Sequence, residues 1–371
     1  MAEPFAAALC LGDDWREVAD TLASGLAGAS GRLGLLYTAE SFVPHQGEIL
    51  AALRLRTGVD DWVSAAGYGV IGAGEEHYGQ SGAAVLLLDL PPDGYRLFAG
   101  GQEAGADLVA KDPDWLAAAA MPLALTHVDP RHPEAAGAVE RLAASTGGFL
   151  VGGLTAAADP APHQAGGATG CLSGVALSPA AVEIATALSQ GCSPLGRAHE
   201  VTRGKDNLLI ELDGRRALDV FIEDIGEELA SDLRRVGGLI FAALPVAGSD
   251  TADYTVRNLV GLDPESGIIA IGEAVPEGGK VLFCRRDRET AVGDMRRMAE
   301  DLRRRVGERV IRGGVYISCA ARGPNQFASP ESETELIQSA LGSFPMVGFF
   351  ANGELNRDRI YAYTGVLTLF L

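Results

Sequence analysis

A strand–helix–strand pattern recurs three times along the chain and narrows the fold more than any other feature of the sequence. The first copy places an apolar strand at Leu33–Tyr37, a helix around Glu48–Thr57 and a second strand at Trp62–Ala66 that stops at Gly67. The second runs through Pro122–Thr126, a helix around Glu134–Ser145 and Phe149–Val151 before Gly152. The third runs through Val315–Ser318, a helix around Glu333–Leu341 and Met346–Val347 before Gly348. The helices carry apolar residues three and four apart, as in Val139, Leu142 and Ala143, while the strands are short apolar runs bounded by Gly and Pro. Between the second and third copies the pattern changes. Asn207–Leu212, Tyr254–Leu259, Gly267–Ile271 and Lys280–Cys284 read as strands, followed by a charged helix over about Thr290–Val306. Val292, Met295, Met298, Ala299 and Leu302 fall on one face of that helix and are expected to meet a core. The strand-rich centre excludes a simple alternating parallel fold. The expected class is α/β: two packed domains with mixed, largely antiparallel β-sheets, stacked and flanked by helices. The Ala-, Pro- and Gly-rich stretch Thr155–Gly170 reads as a loop and as a candidate place for one domain to give way to the next.

Charge removes several function classes. The formal net charge of −19 repels a phosphate backbone and an acidic bilayer surface, so neither nucleic acid nor membrane is an expected partner. Met1–Phe5 lacks the basic start of a secretory leader. No apolar run approaches the ~18 residues that span a bilayer, and the longest, Ala83–Leu88, suits a buried strand. The five cysteines, Cys10, Cys171, Cys192, Cys284 and Cys319, are odd in number and contain no CxxC pair. Neither a disulfide framework nor a zinc cage follows, and reduced thiols in a cytoplasmic protein are the expectation.

The short motifs are weighed by the chemistry they require. Gly67–Gly72 fits GxGxxG, but a dinucleotide site needs a helix directly after the glycines, and Ala73–Gly82 is glycine-rich, acidic and too short for one. His127 and His132 are separated by a turn and lack a third clustered ligand, so no metal is expected. Cys192 and His199, seven apart, offer a thiol–imidazole reading without an orienting third group. No GxSxG elbow is present. The most informative polar groups are Arg322, after the strand ending at Cys319, and Glu354, after Ala351-Asn352-Gly353. If the two strands lie side by side, both groups flank one cleft. The arginine fork then suits a carboxylate and the glutamate suits an ammonium; the competing reading is a structural Arg–Glu pair. Gly152-Gly153 and Gly313-Gly314 read as tight turns that aim backbone N–H groups at a ligand or serve as plain bends.

Gln190–Gly196 (QGCSPLG) leads into Val201-Thr202-Arg203 and Asn207–Leu218. Together with the segments above, these resemble the FIST family, to whose QGCxPxG junction the first is similar. Val256–Asp263, Ser318–Gly323, Gly348–Glu354 and Tyr363–Phe370 fit the C-terminal domain; Leu33–Thr38, Gly67–Gly74 and Gly152–Thr155 fit the N-terminal one. One departure stands out: where the family often has Gly-Cys at the end of the second strand, this chain has Gly67-Tyr68. The resemblance implies an N-terminal domain over 1–188 and a C-terminal domain over 189–371, and a sensory, signal-transducing protein that binds a small ligand, with an amino acid or similar metabolite as the candidate. The ligand-binding set expected from polarity beside the strand ends is Arg322, Glu354, Arg203, Asn207, Tyr363, Asn352, Cys319, Gly152 and Gly153, with no cofactor and no catalytic residue. No kinase, cyclase or methyl-accepting segment is read in the sequence, so a separate signalling output protein is the expected partner. Two competitors remain: a cysteine-dependent hydrolase or transferase using Cys192 or Cys319, and a protein-interaction scaffold without a ligand.

Overall fold

In a computed structural model the protein is described over residues 5–246 and 254–371; Met1–Pro4, where a leader would begin, lie outside the described residues. The chain divides into two compact units, one built from residues 1–189 and 295–371 and the other from 190–294.

The first unit begins with β1 (Ala6–Leu11), α1 (Trp15–Gly25), β2 (Leu33–Ala39), α2 (Gln46–Thr57), β3 (Asp61–Gly67), the hairpin β4 (Gly69–Gly72) and β5 (Glu75–Tyr78), and β6 (Gly82–Leu88). It continues with β7 (Tyr95–Gly100), α3 (Ala104–Lys111), α4 (Pro113–Ala119), β8 (Leu123–Val128), α5 (Ala135–Thr146), β9 (Phe149–Leu154), β10 (His163–Ala165), β11 (Leu172–Leu177) and β12 (Ile184–Ser189). The second unit holds β13 (Ser193–Pro194), β14 (His199–Lys205), β15 (Leu208–Leu212), β16 (Arg215–Arg216), α6 (Ala217–Ala230), β17 (Ile240–Pro245), β18 (Tyr254–Asp263), β19 (Ile268–Ile271) and β20 (Lys280–Arg285). Then come α7 (Arg288–Val306), which belongs to the first unit from Met295 onward, β21 (Gly313–Cys319), α8 (Glu333–Leu341), β22 (Met346–Ala351), β23 (Glu354–Arg357), β24 (Arg359–Tyr361) and β25 (Gly365–Phe370).

The three sequence copies are three parallel strand pairs, β2–β3, β8–β9 and β21–β22, each crossed by one helix and each at the heart of its own sheet. In every copy a later strand returns antiparallel to the first, as β6, β11 and β25. An earlier strand, β1, β7 or β12, pairs antiparallel to that return strand and ends the sheet. The repeats do not keep all their own strands. The β4–β5 hairpin of the first extends the sheet of the third, β10 of the second extends that of the first, and the β23–β24 hairpin of the third extends that of the second. This closed exchange ties three sheets around one apolar core drawn from all of them. At its centre Tyr37, His127 and Phe349, one from each sheet, lie 5.1, 5.5 and 5.8 Å apart between ring centroids. The helices cover the outer faces. Val18, Leu22, Ile49 and Leu53 pack on the first sheet, Leu108, Val139 and Leu142 on the second. Ala83–Leu88 is fully buried, as its composition requires.

The second unit is an antiparallel barrel. Strands β20, β14, β15, β19, β18 and β17 follow one another and β17 closes back onto β20, around Val201, Leu212, Phe221, Ile240, Ile271 and Phe283. Closure leaves no exposed edge in that ring. The chain is therefore α/β with mixed and antiparallel sheets flanked by helices. Among the described residues no helix is long and apolar enough to cross a membrane.

Two local expectations are corrected. Thr155–Gly170 is no domain junction: it contains β10, and both its flanks lie within the first unit. Gly152-Gly153 and Gly313-Gly314 are not turns but parts of β9 and β21. Gly152 is required by packing, since a Cβ there would stand 1.8 Å from the Thr126 carbonyl oxygen, its partner's in the parallel pair.

Candidate functional site

The parallel pair β21–β22 ends with Cys319 opposite Ala351. Beyond these ends the chain turns twice: through Asn352 and Gly353 into Glu354, and through Tyr363 and Thr364 into β25. Tyr363 has a φ of 65°, uncommon for a side-chain-bearing residue. The β4–β5 hairpin, handed over from the first repeat, brings Tyr68 and Tyr78 to the same place. These segments border an open recess of 500 Å³ lined by Tyr68, Tyr78, Cys319, Ala320, Ala321, Asn325, Ala351, Asn352, Ala362 and Tyr363. Its wall is hydroxyl, amide, thiol and methyl, with no Lys, Arg, Asp, Glu or His in it. A larger recess of 590 Å³ beside β7 and α3 contains none of the residues singled out from the sequence. In it Tyr95 donates to Asp61 at 2.7 Å and Arg96 to Asp112 at 3.1 Å.

Arg322 and Glu354 lie near this recess but do not open onto a cleft: both are 0% exposed. The sequence expectation of a charged pair facing a ligand is corrected here, because every guanidinium nitrogen is used internally. Nε donates to Glu333 Oε1 at 2.8 Å, Nη1 to the carbonyls of Ser189 (3.3 Å) and Tyr363 (3.2 Å), and Nη2 to Ser189 Oγ at 3.2 Å. The ion-pair partner of Arg322 is thus Glu333, which opens α8 and is itself fully buried. Glu333 also accepts from Tyr316 Oη at 2.6 Å, Ser318 Oγ at 2.8 Å and the Gly323 amide at 3.2 Å. A buried carboxylate satisfied by a cation and three further donors is the condition under which such a charge persists. Through Nη1 the network fastens the Tyr363 carbonyl, and with it the backbone carrying one wall of the recess.

Glu354 is held by Thr364, whose amide and Oγ1 reach Oε2 at 3.1 and 2.7 Å. Oε1 has no hydrogen-bond partner of acceptable geometry. Burial pushes its carboxyl up to about 8, against the lowering effect of Thr364 and Arg322. Cys319 is 7% exposed, and burial followed by the neighbouring Glu354 charge pushes its thiol up to about 12. The amides of Ala321 and Tyr363 and the Arg322 charge act the other way.

Of the nine expected residues, Cys319, Asn352 and Tyr363 line the recess. Arg322 and Glu354 lie buried around its backbone, and Gly153 pairs with Glu354 across β9–β23. Its chain neighbour Gly152 is a steric necessity of the strand. Arg203 and Asn207 belong to the barrel unit, where Arg203 pairs with Glu211 at 3.6 Å and Asn207 Nδ2 donates to the Ile271 carbonyl at 2.8 Å. The thiol–imidazole reading of Cys192 and His199 is also corrected. Both ring nitrogens of His199 are taken, by Asp213 at 2.7 Å and Asp224 at 2.9 Å. His127 is buried against Tyr37 in the three-sheet core, whereas His132 Nδ1 accepts from the Glu134 amide in its turn. Sequence reasoning passed over Tyr68, Tyr78, Asn325, Ser189 and Glu333. Tyr68 carried the one available signal, as the departure from the expected Gly-Cys pair.

Comparison with known proteins agrees with the motifs. The FIST N domain matches residues 32–215 and the FIST C domain residues 217–357. The uncharacterized protein Rv0628c of Mycobacterium tuberculosis (strain ATCC 25618 / H37Rv) is 31% identical over 194 residues, 50% of each chain. The uncharacterized protein Mb0898c of Mycobacterium bovis is 32% identical over 195 residues, again 50% of each. The match thus spans about half the length of these curated relatives.

Proposed function

The chain belongs to the FIST family, and from that premise we propose that it is a sensory protein that binds a small polar metabolite in the recess bounded by Cys319, Asn352, Tyr363, Tyr68 and Tyr78. The observation that carries this reading is convergence: segments around residues 68–78, 319–325 and 351–363 meet at one 500 Å³ recess. That volume lies in the range of small-molecule sites, which combine an apolar wall with a few placed polar groups. Since no charged side chain lines it, the favoured ligand carries hydrogen-bonding groups without a strong net charge. Arg322 and Glu354 serve as positioning residues for Tyr363 and Cys319. Output passes to a separate signalling protein.

Calorimetry with a panel of amino acids and small neutral metabolites tests the reading, on wild type and on Tyr68→Ala and Asn352→Ala. Binding by wild type that weakens at least about tenfold in both variants is expected. Unchanged affinity in both variants, or silence across the panel, removes the recess as the sensing site.

A further inference from the structure

We propose that Cys319 and Glu354 form a thiol–carboxyl pair that captures an uncharged aldehyde as a reversible thiohemiacetal, an inference that rests on the recess being the ligand site. Cys319 closes β21 and lines the recess. The Cys319 thiol meets the carboxyl of Glu354, which is 0% exposed, with Oε2 committed to Thr364 and Oε1 without a further hydrogen-bond partner. Buried carboxyl oxygens are rarely left unpaired, and one set against a thiol at a recess is placed to take its proton. The amides of Ala321 and Tyr363 approach the sulfur and favour its anion. The two carboxyl oxygens therefore have separate tasks, one anchoring Glu354 on Thr364 and the other facing the chemistry.

In the step, Cys319 Sγ bonds to the carbonyl carbon as the π bond of the carbonyl opens. The thiol proton passes to Glu354 and from there to the former carbonyl oxygen, leaving Cys–S–CH(OH)–R. Nothing else is consumed, and the reverse steps release the aldehyde intact. At rest, burial keeps the thiol protonated, so Cys319 is guarded against adventitious reagents until a carbonyl carbon is in place. The absence of Lys and Arg from the lining fixes two further features: the ligand needs no anionic group, and no amine competes for its carbonyl within the recess.

The full chain is titrated with propionaldehyde labelled with carbon-13 at the carbonyl. A new protein-bound tetrahedral carbon resonance is expected in wild type. It should vanish in Cys319→Ser and in wild type alkylated beforehand at Cys319, which covers the case of a variant that folds poorly. It should persist in Cys171→Ser. Separately, iodoacetamide alkylation of Cys319 is expected to accelerate through a pH of about 8, where Glu354 loses its proton. In Glu354→Gln that acceleration should fall about tenfold or more. A resonance that survives both Cys319 treatments, or an alkylation profile unchanged in Glu354→Gln, overturns the proposal. Non-covalent binding of a panel metabolite that persists in Cys319→Ser while no aldehyde adduct forms also overturns it, yet leaves the recess reading standing.

Discussion

The first and third repeats place a polar residue at the same point of the fold, the first position of the helix that crosses their parallel strands, and they treat it differently. In the first repeat Gln46 is neutral, donates to Thr38 Oγ1 at 3.4 Å and accepts from Ser64 Oγ at 3.0 Å. The third repeat has Glu333, a charge that must be matched by Arg322 as well as by Tyr316, Ser318 and the Gly323 amide. The second repeat opens its helix with Ala135 and needs neither arrangement. Holding the helix on the sheet therefore does not demand a charge. Only in the third repeat does the buried group reach into distant loops, through Arg322 to Ser189 and to Tyr363, which lines the recess. The charged version ties down backbone that a neutral side chain would leave loose, at the expense of desolvating two ions.

The comparison breaks most readily at Arg322. Arg322→Met strands Glu333 in a sealed site and is expected to cost about 3–5 kcal/mol, read as a fall in the denaturant midpoint. Adding Glu333→Met should restore much of that loss, because the cost lies in the orphaned charge. A single variant as stable as wild type would mean the two repeats are equivalent after all. Gln46→Leu sharpens the same contrast from the neutral side. It removes two modest hydrogen bonds, leaves Thr38 and Ser64 short of one partner each, and is expected to cost about 1–2 kcal/mol. A loss as large as that of Arg322→Met would show that charge is not what distinguishes the third repeat.

The repeats were legible because their helices are amphipathic and their strands apolar, and both properties are local. The helix expected over about Thr290–Val306 and the strand at Ala83–Leu88 stand almost where their patterns put them. The exchange of β10 and the two hairpins among the sheets was not legible, because strand partners are chosen by tertiary packing and leave no local mark. Closure of the barrel through β17 and β20 escaped for the same reason. At the site, Cys319, Asn352 and Tyr363 could be found as polar or reactive groups just past apolar strands. The burial of Arg322 depends on Ser189, 133 positions away, so its polarity suggested exposure. Glu333 follows Ser332, which forms a capping box with Glu335, and this gave it the look of an ordinary helix-start carboxylate.

The last contrast is one of pH dependence and concerns Glu76, which the first repeat contributes to the third through β5. Its Oε1 accepts from the Thr334 amide at 2.7 Å, at the mouth of α8. Burial, followed by the nearby Glu333 charge, raises its carboxyl from 4.5 to about 7. The folded protein therefore holds this proton to a higher pH than the unfolded chain does. Glu76 does not weaken the fold below 4.5, and its unfavourable contribution grows as pH rises toward 7, above which it is constant. Gln46, being neutral, creates no such dependence in its own repeat. Glu76→Gln keeps an oxygen for Thr334 and cannot ionise, so its melting temperature should match wild type at low pH and exceed it above 7. Paired thermal melts across that range measure the difference. A constant offset between the two proteins at every pH would show that Glu76 does not sense the Glu333 charge, and the contrast between the repeats would then be confined to the Arg322 network.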